Sequence, residues 1–191
     1  IYAVSDGQVF ALKLASGIPD SQRFSTPTDA VTGAALDNRL SRPEVGITFG
    51  LIQASARTLN PADSSQPGLL YFVDTNGQFG AWNPINGELS SFGLLIDKAT
   101  TSAFTAKNPN GTTNTNTMIR QLGMVLDKVT DPANPRLRLF AGSGLGLSEI
   151  EIRPDNSDFG KITSTRPISL SAPQSINFDS LSPFYDGFLP T

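Results

Sequence analysis

Cysteine and histidine are both missing from the 191 residues. Without cysteine the chain forms no disulfide, offers no thiolate nucleophile and holds no cysteine-ligated zinc. Without histidine, a Ser-His-Asp triad and any histidine-ligated zinc, copper or haem are impossible within it. Charge is also scarce: Asp, Glu, Lys and Arg make up 16% of the chain, against about a quarter in an average domain. The 14 basic and 17 acidic residues leave a net charge of −3. The densest basic patch is only Arg136 with Arg138, which is no footprint for nucleic acid. Long apolar runs are lacking too. Gly46–Ile52 falls far short of the roughly 20 residues of a spanning helix, so no membrane span is expected. No methionine opens the chain. Ile1-Tyr2-Ala3-Val4-Ser5 already reads as a strand, and the expectation is one β-repeat domain over 1–191, released from a precursor or taken from a longer chain.

Seventeen glycines and 14 prolines punctuate what remains. No window sustains helical periodicity for three turns. Short runs of Val, Ile, Leu, Phe and Tyr recur between turn signals, which predicts about thirteen short antiparallel strands. With few charges, Ser, Thr, Asn, Gln and Gly must coat the surface, as in many secreted β-proteins. Low-complexity residues 99–117 read as a long exposed loop, and 17–30 and 53–67 as shorter ones.

Two hairpins follow from turn chemistry. Asp6-Gly7 joins Ile1–Ser5 to Gln8–Leu14, placing Ile1, Ala3, Phe10 and Leu12 on one face and Tyr2, Val4, Val9 and Ala11 on the other. Asn76-Gly77 joins Leu70–Asp74 to Gln78–Trp82. A two-residue type I′ turn there sets Val73 opposite Gly80 and Tyr71 opposite Trp82. Tyr71, Val73 and Trp82 then share one face, and Leu70, Phe72, Phe79 and Ala81 the other. Both hairpins are apolar on both sides, so each is expected to be covered twice.

The hairpins look like copies. Residues 2–12 match 71–82 with one residue inserted, and Gly17 corresponds to Gly87. Leu139–Gly144 running into Leu147–Ile152 is a weaker third copy. Gly50-Leu51-Ile52 followed by Leu70-Tyr71 parallels Gly123-Met124-Val125 followed by Leu139-Phe140, at a spacing of about 70 residues. A sheet unit that cannot bury both faces alone implies stacked neighbours.

The segment Ile1–Gly17 resembles the blade hairpin of β-propellers of the quinoprotein-like and WD-like kind. Asp131-Pro132-Ala133-Asn134-Pro135, followed by Leu139–Ser143, is similar to the blade start of sialidase-like propellers. The likeness covers about half the chain. It implies an all-β, propeller-like stack of antiparallel four-stranded sheets, an incomplete ring at this length, with a β-sandwich as the alternative. The chain lacks the tryptophan docking motif of the quinoproteins. It also lacks a Ser-x-Asp-x-Gly-x-x-Trp box after Leu147, so no catalytic residue is carried over.

Candidate chemistry is thin. Glu149 and Glu151 share a strand face and fit an acid/base pair only if they converge with a sugar site. No cofactor is expected beyond calcium. Its oxygen ligands are on offer at Asp74 and Asn76, and in the turn Asp155-Asn156-Ser157-Asp158, where Asp155, Asn156 and Asp158 are the metal candidates. Gly142-Ser143-Gly144-Leu145-Gly146 lacks the helix and lysine of a phosphate loop and reads as strand-end glycines. Asn110-Gly111-Thr112 fits the N-glycosylation acceptor pattern. Trp82 and Tyr71 offer either a sugar-stacking surface or a core pair. The aromatic tail, with Phe178, Phe184, Tyr185 and Phe188, is the expected partner-binding segment. The expected function is a non-enzymatic structural or interaction module of an extracellular or periplasmic assembly, its partners other subunits or copies of itself. The alternative is a carbohydrate-binding or glycoside-hydrolysing propeller, which requires Trp82 at the rim of a cleft.

Overall fold

The computed structural model describes residues 1–59, 67–98, 100–127, 130, 133, 136–150 and the backbone of 162–166. These form eleven strands and two single 3₁₀ turns, with no α-helix among them. The strands make three antiparallel sheets, each a meander of consecutive strands. Sheet I holds β1 (Tyr2–Ser5), β2 (Gln8–Leu12) and β3 (Phe24–Ser25). Sheet II holds β4 (Ile52–Leu59), β5 (Pro67–Asp74), β6 (Gln78–Trp82) and β7 (Leu89–Leu94). Sheet III holds β8 (Gln121–Asp127), β9 (Arg136–Ser143), β10 (Gly146–Ile150) and β11 (Ile162–Arg166). The chain is thus all-β, and none of the three sheets closes on itself.

Sheet II is the centre of the packing because its strands are apolar on both sides. Tyr71, Val73, Phe79 and Ala81 join Leu122, Met124, Leu139, Ala141 and Ile150 of sheet III in one core. Leu70, Phe72, Trp82 and Leu89 join Val9 of sheet I in another, together with Leu40 and Phe49 from the long connection between sheets I and II. Alternate residues of a strand point to opposite faces, so these cores lie on opposite sides of sheet II. Phe72 and Phe79, one in each core, are both fully buried. Burial of each such ring stabilises the fold by about 2 kcal/mol.

The Asp6-Gly7 hairpin has the expected register, with Ser5 opposite Gln8 and Ala3 opposite Phe10. Both turn residues have positive φ, 49° and 71°, as a type I′ turn demands. Its two faces are not equally covered. Val9 is buried and Tyr2 and Val4 pack toward sheet II. On the other face Ile1 is 67% exposed and Phe24 of β3 53%.

The Asn76-Gly77 hairpin departs from expectation by one residue. Val73 opposes Phe79, and Leu70 opposes Trp82. The connection is therefore the three residues Thr75-Asn76-Gly77, with only Gly77 at positive φ, 80°. A one-residue slip exchanges faces. Phe79 and Ala81 thus join Tyr71 and Val73, and Trp82 joins Leu70 and Phe72. The inserted residue separating 71–82 from 2–12 lies in this turn. The expected loop at 53–67 is also corrected, since residues 53–59 belong to β4. Ala54 and Ala56 point into the core while Ser55 between them is exposed, an alternation of small residues that carries little strand signal.

Gly80 marks the tightest point of the sheet I–II core. A Cβ there would lie 2.6 Å from Phe49 Cζ, 2.8 Å from Phe72 Cζ and 2.9 Å from the Ser90 carbonyl. Gly123, on β8, has nothing within 4 Å of the same position. Gly80→Ala is expected to cost about 1–3 kcal/mol in urea unfolding, from overpacking. Gly123→Ala is expected to stay within about 0.5 kcal/mol of the parent.

Candidate functional site

The least exposed carboxylate among the described residues is that of Asp74, 2% exposed at the end of β5. Its Oδ1 accepts the amides of Asn76 (2.9 Å) and Gln78 (2.8 Å), and its Oδ2 accepts the Gly50 amide at 2.6 Å. Gly50 sits tightly against the turn: a Cβ would lie 3.1–3.2 Å from Asn76 Nδ2, Thr75 Oγ1 and Asp74 Oδ2. Asp74 thereby holds the three-residue turn and the approach to β4 together. Three backbone donors satisfy most of its acceptor capacity.

A second polar cluster locks Trp82. The indole Nε1 donates to the Asp37 carbonyl at 3.0 Å. The Asp37 carboxylate accepts from Arg39, with Oδ1 to Nε and Oδ2 to Nη2 both 3.1 Å, and lies 3.1 Å from Arg42 Nε. Arg42 also donates to the carbonyls of Asp37 and Gly87. The hydrogen bond from Arg39 holds the Asp37 carboxyl below the usual carboxylate range, against the opposing effect of its burial.

β1 presents the most open chemistry. The Leu12 amide donates to the Ile1 carbonyl at 2.8 Å. Antiparallel alternation then makes Ala3–Phe10 and Ser5–Gln8 hydrogen-bonded pairs, so Tyr2 and Val4 turn their N–H and C=O groups away from β2. Among the described residues, no strand pairs with β1 on that side. The Tyr2 ring is held edge-on to Trp82 at 5.9 Å, with the Arg57 guanidinium of β4 over it at 5.0 Å. Among the described residues, the strand thus sits on a fixed platform and its outward edge has no strand partner.

Between β4 and β8 runs a shallow groove of about 220 Å³, lined by Gln53, Ser55, Arg120, Gln121 and intervening apolar residues. Gln121 Oε1 is buried there without a hydrogen-bond partner. Among the described residues, no carboxylate lines the groove.

The sequence-predicted residues do not converge. Trp82 and Tyr71 are both buried but on opposite faces of sheet II, so they form neither a cross-strand pair nor a sugar platform. Glu149 is engaged by Arg138 through two 2.7 Å contacts, with the guanidinium 5.2 Å from the Phe140 ring centroid. Glu151 lies outside the described residues, as do Asp155, Asn156 and Asp158 and the tail residues Phe178, Phe184, Tyr185 and Phe188. No group of three His, Cys, Asp or Glu suited to a metal occurs among the described residues. Of the glycines around Ser143, Gly142 lies near the end of β9, Gly146 opens β10, and Gly144 with Leu145 makes the turn between them. A Cβ on Gly144 would lie 2.8 Å from Asn116 Cα, so packing explains that glycine. The Arg57–Tyr2–Trp82 arrangement and the Asp37 clamp had no local sequence signal, since each joins residues far apart in the chain.

No family model matches the chain, and neither a curated protein nor a solved structure matches it.

Asp74→Ala leaves three part-buried amides without their acceptor, and a loss of about 2 kcal/mol in unfolding free energy is expected. Near-UV circular dichroism of Trp82 at low denaturant checks that the fold is otherwise kept. For Asp37 the sign is that of a depressed carboxylate. Its contribution is present above the ordinary carboxylate value and fades as pH falls through its lowered one. Asp37→Asn is therefore expected to cost up to about 1 kcal/mol at neutral pH and almost nothing in strong acid, measured by urea unfolding at both.

Proposed function

We propose that this chain is a non-enzymatic interaction module of an extracellular or periplasmic assembly, an arc of propeller-like blades whose first sheet is completed by another chain. The open edge of β1 carries this reading. An exposed strand edge is a template for strand addition, and native proteins cover it or use it. The blade reading is supported by the order of strands. β4 and β8, the first strands of sheets II and III, lie side by side, and β1 touches β4. The apolar outer face of sheet I, with Ile1 and Phe24 exposed, adds area for a partner. Copies of the chain are the partner assigned, with the aromatic tail at Phe178, Phe184, Tyr185 and Phe188 as the contributing segment. The carbohydrate reading lacks a comparable observation, because Trp82 rims no cleft and Glu149 is ion-paired.

Val4→Pro removes an outward N–H without touching the β1–β2 ladder. Sedimentation velocity is expected to show concentration-dependent association of the parent chain and a monomer for the variant. Hydrogen exchange is expected to protect the Tyr2 and Val4 amides only in the associated form. A parent chain that stays monomeric at all concentrations, with both amides protected, would refute the reading.

A further inference from the structure

We propose that Asn110 is the acceptor for a single N-linked glycan, transferred from a polyisoprenyl-diphosphate oligosaccharide. The pattern Asn-x-Ser/Thr, with x not proline, occurs once in the chain, at Asn110-Gly111-Thr112. The structure places it at the tip of a tight turn. The Gly111 amide donates to the Asn108 carbonyl at 2.9 Å, and the Asn108 amide to the Thr112 carbonyl at 2.8 Å. All three acceptor residues are exposed.

The hydrogen bonding around the amide is one-sided. Asn110 Oδ1 accepts from the Thr112 amide at 3.1 Å and from the Thr112 hydroxyl at 2.7 Å. Two donors on the carbonyl oxygen draw electron density from the amide and make an Nδ2 proton easier to remove. Nδ2 itself has no hydrogen-bond partner among the described residues. The neighbouring Asn108 is the contrast, because its Nδ2 is tied to the Thr112 hydroxyl at 2.9 Å. Gly111 is at φ 82°, with nothing within 4 Å of a Cβ position, so the middle of the acceptor pattern is uncrowded.

The loop beneath is not loose. The Ala106 amide donates to the Thr75 carbonyl at 2.7 Å and the Asn114 amide to the Ala106 carbonyl at 2.8 Å. Phe104 and Ala106 are 3% and 6% exposed, so the base of the loop is anchored in the core. A glycan on Asn110 would project from a fixed point and leave every described hydrogen bond intact.

In the transfer, Nδ2 attacks the anomeric carbon of the oligosaccharide. The Nδ2–C1 bond forms, and the bond from C1 to the diphosphate oxygen breaks. The diphosphate leaves with the electron pair, and one Nδ2 proton passes to a base of the transferase. The inference rests on the extracytoplasmic reading above only in requiring exposure to such an enzyme.

The test places the full chain behind a cleavable leader in a eukaryotic secretory host and compares intact masses before and after peptide-N-glycosidase. The secreted chain is expected to carry one glycan, lost on digestion with conversion of Asn110 to Asp. N110Q and T112A should be secreted at the unmodified mass, while T112S should retain the glycan. A secreted parent chain at its bare sequence mass overturns the proposal, as does a glycan that persists in N110Q. Either result leaves the strand-addition reading untouched, and a glycosylated strict monomer would overturn that reading alone.

Discussion

The carboxylate of Asp74 sets the register on which the packing depends. By accepting the Asn76 and Gln78 amides it makes the β5–β6 connection three residues long. That length turns Phe79 toward sheet III and Trp82 toward sheet I. Because side chains alternate along a strand, no intermediate arrangement exists. The same carboxylate takes the Gly50 amide and so fixes where the chain enters β4. One buried side chain thereby aligns three strands and assigns the largest side chains of two cores.

How far the chain could be read in advance follows from where each determinant lies. Asp6-Gly7 was legible because a two-residue turn with both residues at positive φ has few sequence solutions. Asn76-Gly77 carries the same local signal, yet the Asp two positions earlier captures the turn amides and lengthens the loop. The double coverage of β5 and β6 was legible from their unbroken apolar character. The covering of sheet I was not, as its outer face has the same composition but no neighbour among the described residues. β4 escaped notice because Ala54, Ser55 and Ala56 have little strand preference until Tyr71 and Val73 lie beside them.

Less of the candidate site was legible. The groove between β4 and β8, the Asp37 clamp and the Arg57–Tyr2 contact all join segments far apart in sequence, for which a single chain gives no cue. That β1 has no outer partner among the described residues is a property of topology and appears only when the sheets are compared. Glu149 looked available on its strand, and only the cross-strand neighbour Arg138 decides otherwise. Asn110 was legible as a three-residue pattern, whereas the difference between its free amide and the tied one of Asn108 was not.

The Arg138–Glu149 pair has a bearing on polarity. With Phe140 it lies on the side of sheet III turned away from sheet II, opposite Leu139 and Ala141. Covering that side would strip water from both charges, a cost that a neighbouring sheet must offset. Ile1 and Phe24 at the far end of the stack impose no such toll. Among the described residues the two outer faces are therefore chemically unlike, one carrying an ion pair that keeps its water and the other bare apolar side chains.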